Sequence, residues 1–190
     1  MLRILAVVVL ALAAAFAVWL FVRGGDNEKK TTTTPTTTPS KSVRTRVGQA
    51  TPKSLSTLSR VAKRPVYWAG PRPRTKLELT QTTDGRVYLR YLPVSVKIGD
   101  RNGKYLIVGT YRVANAYKAI QTAAKESGAH KLSVPGGAIA VYNDASPTNV
   151  YFALPKSQYQ VEVYDPNPAR ARALVATGKI KPILLKTGGG

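Results

Sequence analysis

The chain has 190 residues, with 29 Lys and Arg against nine Asp and Glu, a formal net charge of +20, and no cysteine. The lack of cysteine excludes disulfides, zinc–thiolate centres and a cysteine nucleophile. A charge of this sign attracts polyanions, namely nucleic acid, anionic lipid headgroups or acidic wall polymers, although basic residues can also serve only to keep a folded domain soluble.

The first predicted element is a membrane anchor at residues 1–23. Residues 4–22 carry no charged side chain, and as a helix they would span about 28 Å, close to the hydrocarbon core of a bilayer. Trp19 and Phe21 would lie at the headgroup boundary. A cleaved signal peptide is the alternative, because residues 13–15 and 15–17 both fit a small-x-small site, but cleavage there would leave the apolar stub 18–22. We therefore expect a retained single-pass anchor.

Residues 24–54 are predicted to form a disordered linker. Thr and Pro repeat between residues 31 and 42, a composition that cannot bury apolar surface and favours an extended, solvated chain. Such segments commonly form stalks that carry a domain away from a membrane. The basic residues after the anchor favour the opposite, cytoplasmic orientation of the C-terminal domain, namely Arg23, Lys29, Lys30 and Lys41. Because of the stalk composition, we expect a cell-membrane protein with its C-terminal domain outside the cytoplasm.

Residues 55–190 are predicted to form one basic domain of the α+β class, mainly antiparallel sheet with two or three helices. This region holds 21 Lys and Arg against seven Asp and Glu. Alternating apolar residues between turn signals predict strands, and helical spacing with Gly or Pro boundaries predicts helices. The predicted strands are a hairpin at 75–92, then 94–98, 104–113, 138–142, 150–154, 159–164 and an edge strand at 180–185. The predicted helices are 54–63, 115–127 and 169–177.

One candidate binding site lies at the start of this domain. Tyr67 and Trp68 precede a Pro/Arg run that holds Arg72 and Arg74. The prolines make the run extended, so it would form a cationic arm beside two aromatic rings on which a sugar or a base could stack. The alternative is that Trp68 plugs the core and that the two arginines are simply solvated.

A second group of candidate binding residues lies on the predicted sheet. Tyr88 and Arg90 would share a sheet face, beside Tyr105 or Tyr111. Such a face would combine stacking with positive charge, as single-strand binders do. The alternative is that the tyrosines fill the core and cross-strand pairs, since tyrosine favours strands in any case.

No catalytic, metal or nucleotide motif is present in the sequence. His130, the only histidine, follows a helix stop and has no GxSxG elbow to accompany it. Glu78 and Glu162 lie on predicted strands and could supply the two carboxylates of a glycosidase, but pairing with Lys or Arg across strands is the simpler role. Pro135–Gly137 lacks the Lys-Ser/Thr of a P-loop. We therefore predict no catalytic residue, no metal ligand and no cofactor.

One segment carries a family resemblance. The anchor, the Thr/Pro stalk and residues 164–175, which read YDPNPARARALV, resemble uncharacterised single-pass, membrane-anchored envelope proteins of actinobacteria. The resemblance covers one segment and the general organisation of the chain. It implies a location at the cell envelope, and it implies no mechanism because such families carry no assigned activity.

The leading hypothesis is a membrane-tethered, extracytoplasmic binding or structural module whose basic surface meets anionic lipid or wall polymer. The first alternative is a nucleic-acid-binding module, which would bind with a steep salt dependence. The second is a hydrolase of envelope polymers, which would require Glu78 and Glu162 to face each other in one cleft.

Overall fold

The computed structural model describes residues 43–183. The predicted anchor at 1–23 and the Thr/Pro repeats lie outside the described residues. In this part of the chain, none of the helices is both long and apolar enough to cross a membrane.

The helices are α1 (Pro52–Val61), α2 (Ala116–Ala123) and α3 (Pro168–Ala176). The strands are β1 (Thr45–Ala50), β2 (Tyr67–Trp68), β3 (Thr75–Thr82), β4 (Val87–Pro93), β5 (Ile107–Arg112), β6 (Ala129–Ser133), β7 (Ile139–Asn143), β8 (Ser146–Ala153), β9 (Tyr159–Tyr164) and β10 (Lys181–Pro182).

Eight of these strands form one antiparallel sheet in the order β1-β3-β4-β5-β9-β8-β7-β6. The two short strands β2 and β10 pair separately as an antiparallel ribbon. A mainly antiparallel domain with three helices is therefore confirmed for the C-terminal part of the chain. The order is also symmetric, because each half contributes four neighbouring strands and the halves meet where β5 pairs with β9.

The folded domain begins before the predicted boundary at residue 55. Strand β1 pairs along its whole length with β3, from Thr45 opposite Thr82 to Ala50 opposite Leu77. Helix α1 begins at Pro52 and is capped by reciprocal hydrogen bonds between Thr51 and Ser54. Residues 45–54 thus belong to the domain rather than to the linker. Strand β1 is an exposed edge with little apolar alternation, so the pattern that identifies a half-buried strand is missing there.

The predicted strand at 94–98 is wrong. Strand β4 ends at Pro93, which has no N–H to continue a ladder, and residues 94–106 form a loop of turns that we call the 94–106 loop. Arg90 holds this loop, since its Nη1 donates to the carbonyl of Asp100 at 2.7 Å and its Nη2 to that of Asn102 at 2.8 Å. The predicted edge strand at 180–185 contains β10, which pairs with β2 instead of the main sheet.

One side of the sheet, the core face, carries the hydrophobic core. The strand register aligns a row of apolar residues across five neighbouring strands, and α1 and α3 pack their buried residues into the same cluster. The row consists of Leu79, Leu89, Val108, Val163 and Val150. This continuous apolar row is what fixes the register of the central strands, because a shift by one residue would turn it away from the core.

The opposite side, the polar face, is also covered. Helix α2 packs on β7, β8 and β9, and the 94–106 loop lies over β3 and β4, where it contacts Glu78 and Arg90. The register aligns a row of mostly polar residues across this face, namely Thr80, Tyr88, Gly109, Glu162 and Tyr151. Polar side chains are thereby buried in the middle of the domain.

Candidate functional site

The six predicted binding residues divide between the two sides of the sheet. The first group begins in β2 and continues along the chain towards β3, whereas the second group projects from β4 onto the polar face. The first group is Tyr67, Trp68, Arg72 and Arg74, and the second is Tyr88 and Arg90. The structure therefore does not bring all six residues to one surface.

Residues 68–74, which we call the arm, are held in place by Tyr91 of β4. The Tyr91 hydroxyl accepts a hydrogen bond from the N–H of Ala69 at 2.7 Å. The guanidinium carbon of Arg72 lies 5.7 Å from the centre of the Tyr91 ring, within the range of a cation–π contact. Burial raises the pKa of Tyr91 to about 12, so the hydroxyl stays protonated at neutral pH. Thr75 adds a third support, since its hydroxyl donates to the carbonyl of Arg72 at 2.9 Å.

Trp68 is the aromatic residue of β2 that keeps contact with solvent. Tyr67 is buried, and its ring packs edge-on against Phe152 with 5.8 Å between ring centres. Trp68 is only partly buried and lies directly opposite Lys181 in the β2–β10 ribbon, so the two side chains share one face of it. We call the group formed by Trp68, Arg72, Arg74 and Lys181 the Trp68 surface. Arg74 and Lys181 are its exposed cations.

Arg90 of the second group has a structural role in stabilising the fold. Its Nη1 lies 2.6 Å from Oε1 of Glu78, which is 1% exposed, and its guanidinium carbon is 5.4 Å from the centre of the Tyr105 ring. Glu78 and Arg90 are direct cross-strand partners, so the pairing expected for Glu78 is confirmed. The same guanidinium also holds the 94–106 loop, so its N–H donors bind groups of the protein itself.

Tyr88 is buried and lies across β5. A Cβ atom at Gly109 would be 3.1 Å from two carbons of the Tyr88 ring and 3.5 Å from Cβ of Glu162. Gly109 is thus the position that lets this ring pass over β5 towards Glu162 on β9. Tyr88 is therefore a packing residue of the polar face, with its ring enclosed between neighbouring strands.

Glu162 forms the centre of a buried polar cluster that the sequence did not reveal. Its Oε1 accepts hydrogen bonds from Nδ2 of Asn149 at 2.6 Å and from the hydroxyl of Tyr151 at 3.2 Å. The expected pairing of Glu162 with Lys or Arg is wrong, because the residues opposite it in the sheet are Gly109 and Tyr151. Burial raises the pKa of Glu162, and the bonds from Asn149 and Tyr151 only partly oppose this shift. The charged form of Glu162 is therefore disfavoured in the folded domain.

Glu78 and Glu162 do not form a facing carboxylate pair. They lie on β3 and β9, with β4 and β5 between them. Three strand spacings correspond to about 14 Å, whereas glycosidase carboxylates lie about 5–9.5 Å apart. Both side chains are also buried. The pair of residues named for the hydrolase alternative therefore lacks the geometry that this alternative requires.

His130 lies at the opposite end of the sheet from β1. Its Nε2 is 2.8 Å from Oδ1 of Asp144, and its ring stacks on Tyr142 with 4.9 Å between centres. Both members of the His130–Asp144 pair are largely exposed. Within residues 43–183, His, Asp and Glu nowhere gather in a group of three or more that could hold a metal ion.

Buried and exposed positions of the domain differ in the sign of the charges they carry. Residues 43–183 contain 23 Lys and Arg, none of which is buried, and seven Asp and Glu. Three of the seven carboxylates, Glu78, Glu162 and Asp165, are buried. Asp165 accepts two hydrogen bonds from the guanidinium of Arg170, at 2.7 and 2.8 Å. The accessible surface is consequently more positive than the sequence composition indicates.

Comparison with known proteins finds no relative of this chain. No protein family model matches the chain, and no curated protein or solved structure is significantly similar to it.

Proposed function

We propose that this chain is a membrane-tethered, extracytoplasmic binding module whose basic surface attaches to phosphate- or carboxylate-rich components of the cell envelope, either anionic lipid or wall polymer. The observation that supports it best is the separation of charge. Three of the seven carboxylates are buried, whereas every Lys and Arg of the described domain keeps some exposure. Such a surface attracts polyanions over a distance of about one Debye length, roughly 8 Å at physiological salt.

The location in this proposal is supported by the sequence. The apolar run at residues 4–22 has the length of a membrane span, and the Thr/Pro repeats that follow have the composition of a stalk. A stalk of this composition would tether the described domain outside the membrane and leave both wall polymers and lipid headgroups within its reach.

The first experiment locates the domain by adding protease to intact cells. Digestion of the C-terminal domain from outside is the result we expect. Protection until the membrane is opened would overturn the extracytoplasmic location and would make nucleic acid the leading partner.

The second experiment measures binding of the full chain in a neutral detergent. The probes are poly(glycerol phosphate), vesicles of phosphatidylglycerol, vesicles of phosphatidylcholine, and single-stranded poly(dT). We expect binding to one or both of the first two probes, with an affinity that falls linearly with salt on logarithmic axes because counterions are released. Salt-independent binding, or no binding to any anionic probe, would refute the proposal. Preference for poly(dT) would support the nucleic-acid alternative instead.

A further inference from the structure

Arg74 occupies a backbone conformation that does not suit an arginine. Its φ is +55°, in the left-handed region, where a side chain is strained and glycine is not. The Arg74 side chain is exposed, and its backbone carbonyl accepts a hydrogen bond from Val94 at 3.3 Å, a bond that any residue could make. The fold alone would therefore favour glycine at this position. Lys63 and Lys156 adopt the same conformation, so what distinguishes Arg74 is its place on the arm that follows Trp68.

The arm that carries Arg74 is already rigid. Pro71 and Pro73 fix two φ angles, and Tyr91 holds the arm at Ala69 and at Arg72. A ligand that binds a fixed segment does not have to order it, so less binding energy is lost to conformational entropy. The arm therefore presents its cations in a prepared geometry.

The aromatic content of the Trp68 surface indicates the class of ligand. Nonspecific binders of single-stranded nucleic acid stack successive bases on several exposed rings. Here Tyr67 and Tyr91 are buried, and Trp68 alone among the three keeps partial exposure. Lys181 lies opposite this ring in the ribbon, and Arg74 lies six residues further along the chain, on the arm. One exposed ring with cations nearby in the chain and the ribbon fits one flat sugar ring followed by acid groups.

We infer that the Trp68 surface binds an anionic polysaccharide, with Trp68 stacking on a sugar ring and with Arg74 and Lys181 contacting its carboxylate or phosphate groups. This inference rests on the proposed polyanion-binding function and adds the site and the ligand class. Arg74 is the cation to test first, because it is exposed and lies on the arm that Tyr91 holds at Ala69 and Arg72.

The role of Arg74 is tested by Arg74→Gly in the full chain, with Lys156→Gly as the matched control. Lys156 is also exposed and also left-handed, with φ +61°, but it lies in the turn between β8 and β9. Both variants lose one positive charge and relieve the same kind of strain. We expect both to keep or slightly raise the thermal midpoint, and only Arg74→Gly to weaken binding to polygalacturonate, by about fivefold, the upper end of the effect of one solvent-exposed charge contact.

The sugar contact is tested with polyacrylate, which has carboxylates but no sugar rings. Trp68→Leu keeps an apolar side chain against the core and removes the ring. We expect this variant to bind polygalacturonate about tenfold more weakly, a typical effect of losing one stacked ring, and to bind polyacrylate as the unchanged chain does. Lys181→Gln, at an exposed position, should weaken binding to both polymers without lowering the thermal midpoint.

The possible outcomes distinguish a failure of the proposed site from a failure of the general function. If the unchanged chain binds no anionic polymer, the proposed function fails. If it binds and Arg74→Gly and Lys156→Gly weaken binding equally, the function stands and the Trp68 surface is refuted as the site. If Trp68→Leu weakens binding to poly(dT) more than to polygalacturonate, the site stands and its ligand is a nucleic acid.

Discussion

Removal of the Arg90 guanidinium should strongly destabilise the domain. Glu78 is 1% exposed, with one carboxylate oxygen bound to Arg90 at 2.6 Å and the other to the N–H of Gly99. Arg90→Leu leaves this carboxylate buried without its counter-charge, and breaking a buried ion pair costs about 3–5 kcal/mol. The Arg90 side chain keeps 16% of its surface exposed, so solvent screens the pair partly. We therefore expect a loss of about 3 kcal/mol.

The assay is urea unfolding of the full chain in a neutral detergent, followed by circular dichroism. With a slope of about 1–3 kcal/mol per molar urea, the midpoint should fall by about 1–3 M. The double variant Glu78→Leu, Arg90→Leu removes both charges and should be more stable than Arg90→Leu alone. The reasoning is refuted if Arg90→Leu costs less than about 1 kcal/mol, or if the double variant is the less stable of the two.

Two further predictions concern the buried row of the polar face. Because burial raises the pKa of Glu162, its contribution to stability is complete below the unfolded-state pKa and is lost as the pH rises through the folded-state pKa. Glu162→Gln should therefore flatten the decline of the thermal midpoint as the pH rises above about 4.5, the ordinary pKa of this carboxyl, and an unchanged decline would contradict this. Gly109→Ala should cost about 1–2 kcal/mol in urea unfolding because its Cβ would press on the Tyr88 ring, and the cost should nearly vanish in a Tyr88→Leu background.

Much of the fold follows from local sequence pattern. The alternation of apolar and polar residues predicted the hairpin of β3 and β4 and the whole of β9. Asn167 marks the start of α3, where its side chain accepts a hydrogen bond from the N–H of Arg170. These elements are determined by residues that are neighbours in the chain. Strand β1 was missed because an exposed edge needs only a partner, β3, and no apolar face of its own.

The candidate site was less predictable because it depends on contacts between distant residues. Trp68, Arg72 and Arg74 are visible as a cluster in the sequence, but their neighbours Tyr91 and Lys181 are brought in by β4 and β10. The burial of Glu162 could not be inferred from β9 alone, since alternation of Val with Gln and Glu normally indicates one solvent-facing side. The apolar residues of α2 could have revealed this burial, because they must pack against a face of the sheet.

The pairing of β5 with β9 also shapes how the domain folds. Each half of the sheet is built from strands close in sequence, whereas this central pair joins residues as distant as Ile107 and Tyr164. Closing so long a loop costs chain entropy before any contact between the halves forms, and we expect this non-local pairing to be a slow step of folding. Until the halves meet, β5 and β9 each present one unpaired strand edge, the state in which newly made chains can pair with one another. The high positive charge of the chain repels its own copies during this interval.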